Sequence, residues 1–187
     1  MKHARPSSAK RISVRSVLEI QKILWPSFIE LDGCTYAEFQ SGEGPITLLR
    51  DGMTETESFV NHTHIFDEFR NRAASTQLIE KYECLDVIEE QYDTTSPDFI
   101  AACKLGYEMA RMWAIKLKAD FPQKRFRVYY TQYDNPIVRF HTVREDEPVW
   151  ISDEQLTLTD NPTFAESVIY DTDYLASPVI KRTLRPN

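Results

Sequence analysis

His62, Thr63 and His64 are followed closely by Asp67 and Glu68, and a further histidine, His141, stands far along the chain. Imidazole and carboxylate groups together suit divalent zinc, iron or manganese. An HxH pair chelates only with favourable backbone geometry. If Thr63 caps a helix, His64 and Glu68 fall four apart on one helical face and form a bidentate pair. His62 or His141 would complete the set, and a metal held there would activate water for hydrolysis. The competing reading is a structural histidine at a helix start, making ordinary hydrogen bonds.

A second group of chemistry-bearing residues lies on one face of an expected β-hairpin: Arg127, Tyr129, Tyr133, Arg139 and His141, with Thr131 between them. Arginine and tyrosine are enriched at protein-interface hot spots, and an exposed hairpin edge can accept a partner strand. The same residues can stack bases and hold phosphates of a single-stranded nucleic acid. A plainer role is to keep a sheet face soluble and discourage edge pairing. The formal net charge of −7 disfavours general nucleic-acid binding.

A third group is acidic: Glu145, Asp146, Glu147, Asp153 and Glu154. Paired carboxylates can do acid–base work or bind cations, but the spacing is not that of a calcium loop, so a solvated loop is the simpler reading. Cys34, after Asp32-Gly33, is expected in a turn, where a catalytic thiol would need a nearby histidine. The three cysteines (Cys34, Cys84, Cys103) contain no CxxC and fit reduced thiols better than a disulfide scaffold or a structural zinc site. Five glycines form neither GxGxxG nor GxxxxGK[ST], which argues against a nucleotide-phosphate cradle. GxSxG and HExxH are also missing.

The elements that must position these groups follow from periodicity. A chain of 187 residues with 42% hydrophobic and 12% aromatic residues can bury a real core. Residues 1–11 read as a basic disordered tail, 12–180 as a single domain with a possible division near 95/96, and 181–187 as a second basic tail. Val14, Val17, Leu18, Ile20, Ile23 and Leu24 mark an amphipathic helix that ends at Trp25-Pro26. Two short strands flank Asp32-Gly33, and a helix is expected over 54–62, with Thr54 as cap and Glu57 in the capping-box position. Another is expected after Thr63, and the stretch 78–92 is read as a helix. Ser96-Pro97-Asp98 opens a long central helix over about 96–119, followed by a hairpin over about 124–144. A three-residue loop would pair Tyr133 with Ile137 and gather Phe126, Val128, Tyr130, Val138 and Phe140 on a core face. Val149 to Ile151 reads as a short strand, and 163–180 as a last helix or a meandering cap.

Charge is segregated. Residues 145–174 carry nine acids and no Lys or Arg, while residues 124–144 carry five cations against Asp134 alone. Such a pattern can steer a partner or be satisfied inside the fold. The fold class expected is α+β, several helices on a small, mostly antiparallel sheet. The function expected is non-catalytic protein or peptide binding without a cofactor, as an accessory subunit, adaptor, or immunity- or inhibitor-type protein in the cytoplasm. The alternatives are the metal-dependent hydrolase, with zinc, iron or manganese at His62, His64, Glu68 and His141, and single-stranded nucleic-acid binding. No membrane partner is expected.

Overall fold

One long helix supplies a surface on which a helix before it and the strands after it pack. Ser96 caps it by accepting the Phe99 N–H at 3.1 Å, and Pro97, which has no N–H to satisfy, begins its first turn. The computed structural model describes residues 14–40, 52–65, 76–82, 87–92, 95–132, 135–152, 166–173 and 180–183. In chain order its elements are α1 (Val14–Leu24), β1 (Phe28–Leu31), β2 (Cys34–Ala37), a 3-10 turn (Glu38–Gln40), α2 (Met53–Val60) and β3 (Thr63–His64). There follow β4 (Thr76–Tyr82), β5 (Val87–Tyr92), α3 (Pro97–Asp120), β6 (Phe126–Gln132), β7 (Ile137–Thr142), β8 (Glu166–Asp171) and β9 (Ile180–Thr183). The class is α+β. The main sheet has the order β3-β7-β6-β8-β9 with every pair antiparallel.

The core lies between α3 and one face of this sheet. Met109, Trp113 and Leu117 of α3 meet Phe126, Val128, Tyr130, Val138 and Phe140, all 0–1% exposed. Burial of each large apolar side chain contributes roughly 1.5–3 kcal/mol. Trp113 stands at the centre, with Phe28, Phe39 and Phe140 packed edge-on around it. Its indole N–H donates to the Ile23 carbonyl at 3.0 Å, which ties the end of α1 to the core.

The β6–β7 hairpin pairs Thr131 with Ile137 and Tyr130 with Val138. That register is two residues away from the expected Tyr133–Ile137 pairing. An even slip preserves side-chain parity, so the expected core face is the observed one. The β1–β2 hairpin turns at Asp32 (φ 50) and Gly33 (φ 80), the left-handed pair that matches the twist of a two-residue hairpin.

Several expectations are corrected. Residues 78–92 contain an antiparallel strand pair, β4–β5, where a helix was expected; the apolar residues Leu78, Ile79, Val87 and Ile88 satisfied the helical period by coincidence. Thr63 sits in a strand paired to Val138, so it is not the cap of the helix expected after it; Ile65 is helical, and 66–75 lie outside the described residues. Residues 149–151 are irregular, with a bend at 150–151, rather than a strand. Strand β8 lies where a helix or cap was expected, and β9 runs from Ile180 to Thr183 within the expected basic tail. Ile46 to Arg50, which reads as a short strand or extended piece, lies outside the described residues. Among the described residues, no helix is long and apolar enough to cross a membrane.

Gly106 shows how closely α3 approaches the sheet. A Cβ there would meet the Tyr130 ring at 2.7 Å and Ile65 at 3.4 Å. Alanine is worth about 1 kcal/mol more than glycine in a helix interior, but forcing a buried ring aside costs about 1–3 kcal/mol. Gly106→Ala is therefore expected to lower the urea midpoint, against the helix-propensity trend. A raised midpoint would show that the Tyr130 ring relaxes freely.

Candidate functional site

Two sheet edges face each other across α2, and polar side chains of that helix fill the gap. Glu57 is fully buried. Its carboxylate accepts from the backbone N–H of Thr35 in β2 and of Thr142 in β7, both at 2.6 Å, and from the Thr142 hydroxyl. Both guanidinium Nη atoms of Arg144 donate to it at 3.0 Å. One turn on, the Asn61 side chain accepts from the Ala37 N–H and donates to the carbonyls of Thr35 and Phe140. Spacing of i, i+4 brings both side chains to one helix face. They substitute for a missing neighbour strand, so this stretch of the β7 edge is occupied from within the chain. Glu57 was expected to close a capping box, but Gly52 precedes the helix and makes no side-chain cap bond.

The first turn of α2 is capped from elsewhere. The Glu147 carboxylate accepts from the N–H groups of Met53 (3.0 Å) and Thr54 (2.6 Å). Burial raises its pKa, but these bonds and the charge of Arg144 outweigh it, and the group titrates below the usual carboxylate range. A cleft of about 420 Å³ opens beside this cap, between α2 and residues 146–150. Glu55, Asp146 and Glu147 line it with carboxylates; Pro148, Val149 and Trp150 form its apolar wall. Among the described residues, no cation pairs with Glu55 or Asp146.

Trp150 also covers the second face of the sheet, the face with Arg, Tyr and His. There Tyr129, Ile151 and Ile169 form a small buried cluster with Trp150 against it. Tyr129 and His141 are both 0% exposed, and their rings stack with centroids 5.5 Å apart. The His141 Nδ1–H donates to the Thr142 carbonyl at 2.8 Å, so Nε2 is the acceptor, facing the Tyr129 hydroxyl (2.8 Å) and the Trp150 N–H (3.3 Å). Burial lowers the pKa of His141, and Arg127 and Arg144 push the same way against the Thr142 carbonyl and Glu57. The imidazole is a neutral structural link. Arg139, which pairs with Tyr129 across the strands, lays its guanidinium over Trp150 at 5.2 Å. Arg127 lies 3.9 Å from Asp171, which also takes a two-pronged bond from Arg125. Tyr133 lies outside the described residues. Thus Tyr129 and His141 face the interior of the chain, and Arg139 is the half-buried member at the margin.

Of the metal candidates, His141 stands apart from His62 and His64. The His62 and His64 rings lie 5.1 Å apart on one face. The His62 Nδ1–H donates to the Phe59 carbonyl, and Asn135 donates to His64 Nδ1 at 2.9 Å. His64 pairs with Ile137, four residues from His141 along β7, a separation of roughly 13 Å at about 3.3 Å per residue. Both nitrogens of His141 are already engaged. Asp67 and Glu68 lie outside the described residues. Among the described residues, no group of three metal-ligating side chains occurs. Cys34 is buried at 2% exposure rather than lying in an open turn, and burial raises its pKa, so it holds no reactive thiolate.

The cleft is the feature that the sequence concealed. Its walls come from residues about 90 apart in the chain, and the one local hint was a tryptophan inside an acidic, proline-containing loop. No protein-family model, curated protein or solved structure matches the chain.

Removing one partner of a buried ion pair costs about 3–5 kcal/mol. Glu57→Gln leaves Arg144 without its carboxylate and turns an amide toward backbone N–H donors, so a loss of that size is expected in urea unfolding; a loss below about 1 kcal/mol would show that water replaces the carboxylate. His141 has a folded pKa below its ordinary 6.5, so the unfolded chain binds the extra proton first. Its contribution to stability is complete above 6.5 and lost as pH falls below that value. The acid-side slope of stability against pH should be shallower in His141→Gln than in the native chain, and equal slopes would contradict a buried neutral imidazole.

Proposed function

We propose that the chain is a non-catalytic binding protein that holds a cationic segment of a protein or peptide in the cleft between α2 and residues 146–150. The observation that supports this is the composition of the cleft. It joins an apolar wall containing Trp150 to the carboxylates of Glu55 and Asp146, which have no cationic partner among the described residues. A lysine or arginine side chain satisfies both halves: its stem covers apolar surface and its head meets carboxylates and an aromatic ring. The exposed face of α2 continues the surface, since Phe59 lies four residues beyond Glu55 and is 39% exposed. Tryptophan and other aromatics at such a margin are the types that dominate binding energy at interfaces.

Nothing in the cleft resembles a nucleophile with its base, and the neighbouring imidazole, His141, is committed to Tyr129 and two backbone groups. Binding without chemistry is the role these groups can fill, as an accessory, adaptor or inhibitor-type protein in the cytoplasm.

Selection of peptides from a random displayed library on the native chain tests the reading. Lysine- or arginine-containing peptides are expected to be enriched, and Glu55→Lys to weaken them about tenfold, equivalent to about 1.4 kcal/mol. Failure to enrich cationic peptides, or binding indifferent to Glu55→Lys, would overturn it.

A further inference from the structure

The arginines around the second sheet face are not equivalent. Arg125 and Arg127 face Asp171, and Arg144 grips Glu57. Among the described residues, Arg139 has no carboxylate partner, and its buried Nε–H meets no acceptor. Its surroundings are Tyr129 across the strand, Ile137 and His141 two residues away on the same face, and the ring of Trp150. Continuing the β3–β7 register by one residue places His62 opposite Arg139, with His64 opposite Ile137. The His62 and His64 rings lie together on this face. His64 and, one residue before β3, His62 thus stand beside the strand that carries Arg139.

A guanidinium presents its in-plane N–H groups as donors and its flat face as an aromatic partner. The contact with the Trp150 ring is worth about 0.5–2 kcal/mol. It supplies no hydrogen-bond acceptor to the Nε–H. Burial lowers the pKa of Arg139, the mark of a charge whose lost hydration no anion replaces. A buried donor without an acceptor is destabilising unless something else supplies the acceptor. An oxyanion does so with the fork geometry that guanidinium prefers.

We infer that Arg139, whose guanidinium lies over Trp150, is an oxyanion-binding side chain that takes a phosphate or carboxylate group of a ligand. The inference stands apart from the cationic cleft. It rests on a different side chain and a different charge, and either can fail alone.

Calorimetric titration of the full chain with inorganic phosphate, and separately with acetate, at constant ionic strength tests it. Saturable binding is expected with at least one anion, weakened about tenfold in Arg139→Gln and less in Arg139→Lys. A phosphate-only response assigns the site to phosphoryl ligands, and an acetate response to carboxylates. Binding of neither anion, or equal binding by native chain and Arg139→Gln, overturns the inference. Should Arg139→Gln fail to fold, the native chain answers the question. The anion bound in the titration should slow phenylglyoxal modification of Arg139, mapped by peptide mass, while leaving the exposed Arg111 unchanged. Equal rates at Arg139 with and without that anion overturn the inference as surely.

Discussion

The buried carboxylate of Glu57 joins two strand edges that form no ladder with one another. Strand β2 belongs to a two-stranded hairpin and β7 to the main sheet, and their facing edges are not paired to one another. Backbone N–H groups of both would lie buried and unsatisfied without an acceptor between them. Glu57 provides it, and the Arg144 fork compensates its charge. Arg144 also donates to the Gly33 carbonyl, so the β1–β2 turn is held by the same group. Helix α2 therefore acts as a polar splice rather than an amphipathic lid. Glu57 and Asn61 point inward while Phe59 is exposed, the reverse of the usual distribution.

That splice determines where binding can occur. With the β7 edge filled by β3, Asn61 and Glu57, an added partner strand has no access there. The loop that supplies Arg144 continues to Glu147, which caps α2, and to Trp150, which covers the sheet. One short stretch thus fixes the helix, builds the cleft wall and closes the second core. Part of the charge segregation is met inside the fold: Asp171 answers Arg125 and Arg127, and burial opposes its ionisation while Arg125 leads the groups that hold its pKa low. Among the described residues, the carboxylates of Glu55 and Asp146 and the guanidinium of Arg139 meet no opposite charge.

The local elements were legible wherever the signal was short-range and chemically specific. Ser96-Pro97 opens α3, Asp32-Gly33 turns the first hairpin, and the alternation of Phe126, Val128 and Tyr130 marks a core face even with the loop length misjudged by two residues. The stretch 78–92 was not legible, because a brief apolar run satisfies helical and strand periods alike. Glu57 is the more instructive case. Its position three residues after Thr54 is the pattern of a helix cap, and no local rule distinguishes that from an inward carboxylate serving strands 22 and 85 residues away.

By itself, the sequence determined the long helix, the hairpin that follows it, the parity of that hairpin and the lack of phosphate-cradling glycines, because each depends on a few adjacent residues. Tertiary structure decided which polar groups are spent inside the fold and which stay available. His141 and Tyr129 were taken by each other and by Trp150, and Asp171 by Arg125, while Arg139 met an aromatic ring and, among the described residues, no acid. The physical reason is that a side chain's availability is set by the desolvation and neighbours it meets after folding, and those neighbours come from other parts of the chain.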